Sequence, residues 1–255
     1  MKYQIVIPSR GRPHNAKTML SLMPDAWICV DEREREDYKP HVPKKQLLLH
    51  PPSTGAPAAR NWIINNVKAP CLIQSDDDLV GIRSNIGSKR FITDPDEVMA
   101  IIENAVTCCA DLGLTTFCWS RTANTTVVRP EEKPIVPTQQ VYGCWGVMNK
   151  ARARQYDETL RSRADLDWTM RTLLEDRIVL ADIRYYFDFG RSFSGSGGQS
   201  GLVTPEDFKR STEIVAKRWG TAISFRRPGY MKQGDTVAGV PHVRRQSTLA
   251  KTGSK

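Results

Sequence analysis

The chain has 255 residues, with 37 Lys and Arg against 28 Asp and Glu, a net charge of +9. At 40% hydrophobic and 25% charged residues it has the composition of a folded globular protein, long enough for one large domain or two small ones. No apolar run approaches the ~18 residues of a membrane helix. Pro8, Arg10 and Arg12 break the short apolar run from Tyr3 to Ile7, which argues against a signal peptide, and six cysteines without C-x-x-C spacing read as free thiols in a reducing cytoplasm.

The charge is uneven. From Pro205 to Lys255 there are 11 basic residues and four acidic ones, so a nearly neutral body precedes a basic end. Such an end suits a polyanionic partner, nucleic acid first, or serves only as a solvated tail.

In chain order, Tyr3–Pro8 reads as a buried first strand discharging into the loop Ser9-Arg-Gly-Arg-Pro13. A helix follows near Asn15–Met23, then a strand from Trp27 to Val30 that ends on Asp31, then a charged, irregular stretch from Glu32 to Lys45. Leu47–Leu49 is a third strand, Pro51–Gly55 a turn, Pro57–Val67 a helix, and Cys71–Gln74 a strand running into Asp76-Asp77-Asp78. This alternation predicts an α/β domain with a mainly parallel sheet flanked by helices. The clearest helix starts with Asp94 as N-cap, Pro95 in the first turn and Glu97 placed to close a capping box, and it ends at Gly113. Val98, Ile101, Ile102, Ala105, Cys109 and Leu112 share one face of it at helical spacing. Beyond it, Leu114–Trp119 reads as a strand, 121–137 as an excursion, Val141–Met148 as a strand, Asp165–Asp176 as a helix and Ile178–Phe187 as a strand. Nine of the 12 residues from Gly190 to Gly201 are Gly or Ser, which predicts a loop. A last helix opens at Thr204-Pro205 and stops at Gly220. The expected division is a domain over 1–230 and a basic, flexible tail over 231–255.

Three constellations bear on chemistry. Three carboxylates at the end of an apolar strand repel one another unless a cation or solvent relieves them, and strand C-termini are where open α/β sheets place ligands. Hard oxygen donors select Mg²⁺, Mn²⁺ or Ca²⁺, which commonly bridge a diphosphate; the plain alternative is a solvated turn. Arg10 and Arg12 beside Gly11 suit a phosphate or a nucleotide base. Asp165, at a helix start, is either a cap or a general base. G-x-G-x-x-G, G-x-x-x-x-G-K-[ST] and G-x-S-x-G motifs are absent, and the four histidines have no metal spacing.

Taken in this order, Ile5-Val-Ile-Pro8 with Arg10 and Arg12, Cys29-Val-Asp31, Gly55-Ala-Pro-Ala-Ala-Arg60-Asn61, Asp76-Asp-Asp78 and Ala164-Asp165-Leu-Asp167 resemble the GT-A glycosyltransferases over Tyr3 to about Arg177. The opening Ile-Pro-Ser-Arg-Gly-Arg is similar to that of the phage TET-associated glycosyltransferases. The resemblance implies a GT-A (Rossmann-like) fold, a nucleotide-sugar donor, in particular a UDP-sugar, and a divalent cation, Mn²⁺ or Mg²⁺. It implies donor contacts at Pro8, Ser9, Arg10, Arg12, Asp31, Arg60, Asn61, Asp76 and Asp77, and metal ligation by Asp76 and Asp78, with Asp188 in place of the family's late histidine. It also implies that Asp165 is the catalytic base, although Ala164 stands where the family has Glu. The acceptor would be a 5-hydroxymethylpyrimidine such as 5-hydroxymethylcytosine in DNA, with Tyr142 and Trp145 either stacking on the base or packing in the core. The enzyme would act in the cytoplasm, a host's if phage-encoded, without a membrane. The competing readings are a GT-A enzyme acting on cell-surface glycans, which has no need of a basic end, a nucleotidyltransferase, and a DNA-binding protein without catalysis.

Overall fold

Side chains alternate across the first strand, β1 (Tyr3–Pro8): Ile5 and Ile7 enter one apolar core and Val6 the other. A strand buried on both faces needs helices above and below it. The chain supplies them, as a computed structural model describing residues 1–53, 55–87, 90–137, 139–148, 154–189, 198, 203–226 and 240–243 makes clear. After β1 come α1 (Pro13–Leu22), β2 (Trp27–Asp31), α2 (Arg35–Tyr38), β3 (Leu47–His50), α3 (Ala56–Asn66) and β4 (Cys71–Ser75). The middle of the chain forms β5 (Gly81–Ser84), β6 (Phe91–Ile92), α4 (Pro95–Asp111), β7 (Thr116–Ser120), β8 (Ile135–Val136) and β9 (Cys144–Met148). It continues with α5 (Ala164–Asp176), β10 (Leu180–Asp188), α6 (Pro205–Trp219), β11 (Ile223–Arg226) and β12 (Val240–Val243).

The main sheet has the order β3-β2-β1-β4-β9-β7-β10-β5-β6, with β8 paired to β10. β3, β2, β1 and β4 are parallel neighbours; β9 enters antiparallel between β4 and β7, and β7 and β10 are parallel again. One core holds Ala16, Met19 and Leu22 of α1 with Val98, Ile102 and Val106 of α4. The opposite core holds Ile63 of α3, Leu166 and Trp168 of α5 and Val215 of α6. The expected α/β arrangement, a mostly parallel sheet between helical layers, is the one found. Among the described residues no helix is long and apolar enough to cross a membrane, and all six cysteines are free, five of them buried.

Local differences from expectation have local causes. Asp94 caps α4 by accepting from the Glu97 amide at 3.1 Å, but the Glu97 carboxylate is engaged by Arg90, so the capping box is only half made. Leu112, expected on the apolar face, follows the last turn of α4 and is 61% exposed. The charged stretch after Asp31 contains α2, whose Tyr38 is completely buried. Within the region expected as a flexible tail, β12 pairs antiparallel with β11, Val243 opposite Ile223. The rest of 231–255, and the segment 190–201 apart from Gly198, lie outside the described residues.

Gly146 of β9 is dictated by packing: a Cβ there would lie 2.1 Å from the Phe117 ring on neighbouring β7. Gly146→Ala should therefore cost about 1–3 kcal/mol in urea unfolding, the usual range for overpacking a buried sheet; an unchanged midpoint would mean that the ring moves aside freely.

Candidate active site

The sheet topology brings several strand ends together. Pro8 ends β1 and Ser9, Arg10 and Arg12 follow it, Asp31 ends β2, Asp76–Asp78 follow β4, and Arg121 and Thr122 follow β7; all line one cleft of about 870 Å³. Because β9 runs antiparallel, its beginning faces the same cleft: Cys144 lies opposite Ser75, and Asp76 N–H donates to the Gly143 carbonyl at 2.7 Å. Tyr142 and Gly143 therefore line the cleft, with Phe189 after β10 and Asp165 in the first turn of α5. Gly143 has φ 61°, and a Cβ there would stand 2.0 Å from the Phe189 ring, so both backbone and space require glycine.

The three consecutive carboxylates point to different partners. Asp77 accepts from Ser9 Oγ at 2.6 Å and from Arg12 Nη1 at 2.9 Å. The same Arg12 nitrogen reaches Asp78 Oδ2 at 3.1 Å. Tyr38 completes the network: its hydroxyl accepts from the Arg12 amide at 3.0 Å and lies 2.7 Å from Ser9 Oγ. With the Ser9 hydrogen given to Asp77, Tyr38 is the donor in that last contact. Asp76 is paired with Arg60 of α3, whose guanidinium also donates to Gln74 Oε1 at 3.1 Å and lies 4.1 Å above the Trp145 ring. Enclosure in the cleft pushes the Asp76 carboxyl up to about 7; Arg60 opposes the rise, while Asp78, Asp77 and Asp165 add to it. Burial and then Asp77 likewise raise Asp78, against the pull of Arg12. Carboxyls raised by burial and by one another's charge are ones that a divalent cation would relieve, so the donor set fits a hard metal ion.

Asp31 is held by Arg33, which donates from Nε at 2.8 Å and Nη2 at 2.6 Å, and by the Ser53 amide at 3.2 Å. These bonds hold its carboxyl well below the usual carboxylate range. Arg33 is largely exposed, whereas Asp31 is buried.

The two acids of α5 separate cleanly. Asp165 lines the cleft, accepts from Gln140 Nε2 at 2.8 Å, and is not the cap: the N-cap position is Arg163, in the left-handed region at φ 63°. Asp167 is completely buried and binds Arg171, Arg218 and the Trp219 indole N–H, tying α5 to α6.

Two expected site residues stand elsewhere. Asn61 does not line the cleft; its amide is spent on Tyr156 N–H and C=O and on Glu158. Asp188 accepts from Arg83 at 2.7 Å across the β5–β10 pair and is absent from the cleft wall, so it does not join Asp76 and Asp78. Among the described residues no three His, Cys, Asp or Glu side chains group around a metal position. Trp145 lines the cleft but is 3% exposed beneath Arg60, so the structure makes it a wall of the site, whereas Tyr142 is half-buried. Sequence reasoning missed Arg121, Gln140, Arg161 and Arg163, all in the cleft. They sit in irregular segments, where the charge of the arginines was the one available signal. Gly198 reaches the cleft as well, donating to the Arg10 carbonyl at 2.8 Å.

Solved structures of GT-A glycosyltransferases share this α/β fold. S. aureus TarS 1-349 in complex with UDP-GlcNAc aligns at TM-score 0.52 and 16% identity, over 85% of this chain and 66% of that one. Glucosyl-3-phosphoglycerate synthase from Mycobacterium tuberculosis, with Mn²⁺, UDP-glucose and phosphoglyceric acid, aligns at TM-score 0.51 and 10% identity, over 86% of this chain and 80% of that one. The chain spans just under two thirds of the TarS chains it matches. The TET-Associated Glycosyltransferase family model matches residues 3–186, and the chain belongs to that family. No curated protein matches it in sequence.

The two acids of α5 predict opposite phenotypes. Asp167→Ala removes a completely buried acceptor from Arg171, Arg218 and the Trp219 indole N–H and should cost about 1–3 kcal/mol in urea unfolding. Asp165→Asn should leave the unfolding midpoint almost unchanged. The reverse ranking would make Asp165 the structural acid.

Proposed function

We propose that this protein transfers a sugar from a nucleotide-sugar, in particular a UDP-sugar, to the hydroxymethyl group of a 5-hydroxymethylpyrimidine, 5-hydroxymethylcytosine first, in DNA. The observation that carries the reading is the presence in one cleft of a carboxylate cluster flanked by arginines and, separately, of an acid on α5 held by a neutral amide. Membership of the TET-associated family and the basic C-terminal end support DNA as the acceptor.

Arg10, Arg12 and Arg60 bring positive charge to the side of the cleft where a diphosphate would lie. A divalent cation, Mn²⁺ or Mg²⁺, held by Asp76 and Asp78 would neutralise the departing diphosphate. Asp76 and Asp78 would hold that cation, and Arg60 and Arg12, which now supply their counter-charge, would then be less tightly claimed by them and nearer to serving phosphate oxygens. Asp31 offers its carboxylate to the nucleotide base. Asp165, one oxygen engaged by Gln140, takes the proton from the acceptor hydroxyl as the sugar arrives. Tyr142, half-buried in the cleft wall, is the aromatic proposed to stack on the acceptor base.

The direct test incubates hydroxymethylated and plain DNA with a panel of UDP-sugars and weighs the released nucleosides by mass spectrometry. A hexose mass added only to hydroxymethylated nucleosides is expected. Transfer to a glycan acceptor with none to DNA would reassign the enzyme, and a nucleotide attached to the product would make it a nucleotidyltransferase.

Asp165→Asn should lower turnover by roughly 10²–10⁴-fold with UDP affinity retained, the signature of a lost general base; near-normal turnover would remove that role. Metal affinity carries a pH signature. Because Asp76 titrates near 7, protons compete with the cation below that pH. Mn²⁺ affinity, read from free Mn²⁺ by electron paramagnetic resonance with UDP present, should fall as pH drops from about 8 to about 6, by up to ~10-fold per unit below the Asp76 value. A flat profile would take Asp76 out of the coordination.

A further inference from the structure

Gln140 spends one half of its amide on Asp165 and leaves the other half unmet. Its Nε2 donates to the Asp165 carboxylate at 2.8 Å, whereas the buried Oε1 accepts no hydrogen bond among the described residues. The side chain is only 5% exposed and lines the cleft. A carboxylate that takes a proton has only acceptor oxygens, so the amide cannot turn over without setting Oε1 against it. The backbone is fixed as firmly. The Val141 amide donates to Thr169 Oγ1 at 3.2 Å, and that hydroxyl donates to the Asp165 carbonyl at 2.7 Å, which ties segment 140–142 to the first turn of α5. Val141 packs in the core that holds Trp168, while Gln140 and Tyr142 on either side of it both line the cleft. Water does not reach Oε1, so the donor it lacks must be carried in by a ligand packed against the cleft wall. Tyr156 Oη and Ser162 Oγ, also in the cleft wall, are likewise unmet, but a hydroxyl donates or accepts as required. Gln140 Oε1 can only accept, so of these three atoms it is the one that tells a donor from an acceptor.

We infer that Gln140 reads the 4-position of the acceptor pyrimidine and selects 5-hydroxymethylcytosine over 5-hydroxymethyluracil. The inference rests on the proposed function and deepens it by naming the residue that chooses between two bases with the same reacting group. On a pyrimidine ring the 4-substituent stands on the carbon beside the one that bears the hydroxymethyl group. The other neighbouring carbon bears only hydrogen, so the 4-substituent is the polar group next to the reacting hydroxyl. With that hydroxyl on Asp165, the 4-substituent is placed to meet the amide that Asp165 holds. In cytosine it is an amino group, a donor, and satisfies Oε1; in uracil it is a carbonyl oxygen, and two acceptors face each other. A glutamine free to rotate would serve both bases by flipping its amide. Here the flip is closed, because it would turn Oε1 onto the carboxylate. Rejection also falls on the chemical step, since pushing Gln140 aside removes the donor that holds Asp165.

The test uses the full chain and oligonucleotides carrying a single 5-hydroxymethylcytosine or a single 5-hydroxymethyluracil, with sugar transfer read by mass spectrometry. Wild-type kcat/KM should favour the cytosine by roughly 10- to 100-fold, the range for one hydrogen bond against an acceptor left unmet. Gln140→Met, similar in length but without the amide, should lose transfer to the cytosine and bring the two bases to near parity. Wild-type UDP affinity by calorimetry would show its fold and donor site intact. Equal or reversed preference in the wild type would overturn the inference, whatever the variant does, and leave the DNA reading standing. A Gln140→Met enzyme slowed equally on both bases, with the wild-type preference retained, would overturn it too and reduce Gln140 to a positioning residue for Asp165. Absence of transfer to hydroxymethylated DNA from every nucleotide-sugar would overturn the underlying reading, and the inference with it.

Discussion

Three carboxylates on consecutive residues cannot share one strand end without counter-charge, and the architecture around β4 follows from that repulsion. Arg12 arrives from the loop after β1 and bridges Asp77 and Asp78; Arg60 arrives from α3 and takes Asp76. Each arginine is itself restrained. Gln74 and the Trp145 face hold Arg60, and the Arg12 backbone is tied to Tyr38. The acids are thereby held apart in an orientation set by three separate elements.

The sheet determines which residues can join this centre. Parallel strands discharge their C-termini on one edge, so β1, β2, β4, β7 and β10 each deliver a loop there. The antiparallel β9 contributes its start, which places Tyr142 and Gly143 between the carboxylate cluster and Asp165. One half of the cleft is built from the early βα units; the other comes from the excursion after β7 and the approach to α5. The cleft is thus assembled from different stretches of chain that share a single edge.

Much of this was legible in the residues. The strands β1, β2, β3, β4 and β10 and the helices α3, α4, α5 and α6 announce themselves by apolar runs, caps and terminating glycines, and the Asp76–Asp78 cluster by its place after an apolar strand. What escaped has a common physical character. α2 buries a single side chain, Tyr38, from within a run of charges, so no periodicity betrays it. β5, β6, β8 and β12 are two to four residues long and exist by pairing, which is non-local. Asp167 and Asp165 look alike in the sequence; only the arrival of Arg218 and Trp219 from α6 makes one structural and leaves the other facing the cleft. Asp188 sits at the expected strand end, yet the hairpin β5–β6 brings Arg83 to it and claims it. Asn61 is likewise claimed by a segment nearly a hundred residues away in the chain.

The role of Tyr38 has a dynamic consequence. A four-residue helix has no independent stability and persists because its one apolar side chain is sealed into the core. That side chain's hydroxyl is also the link that relays position from the Arg12 amide through Ser9 to Asp77. Local opening of this single turn would therefore disorganise the carboxylate cluster without disturbing the sheet beneath it. Amide protection in α2 and integrity of the cluster form one cooperative unit, and the segment that resembles a dispensable surface loop is the place from which the centre would come apart first.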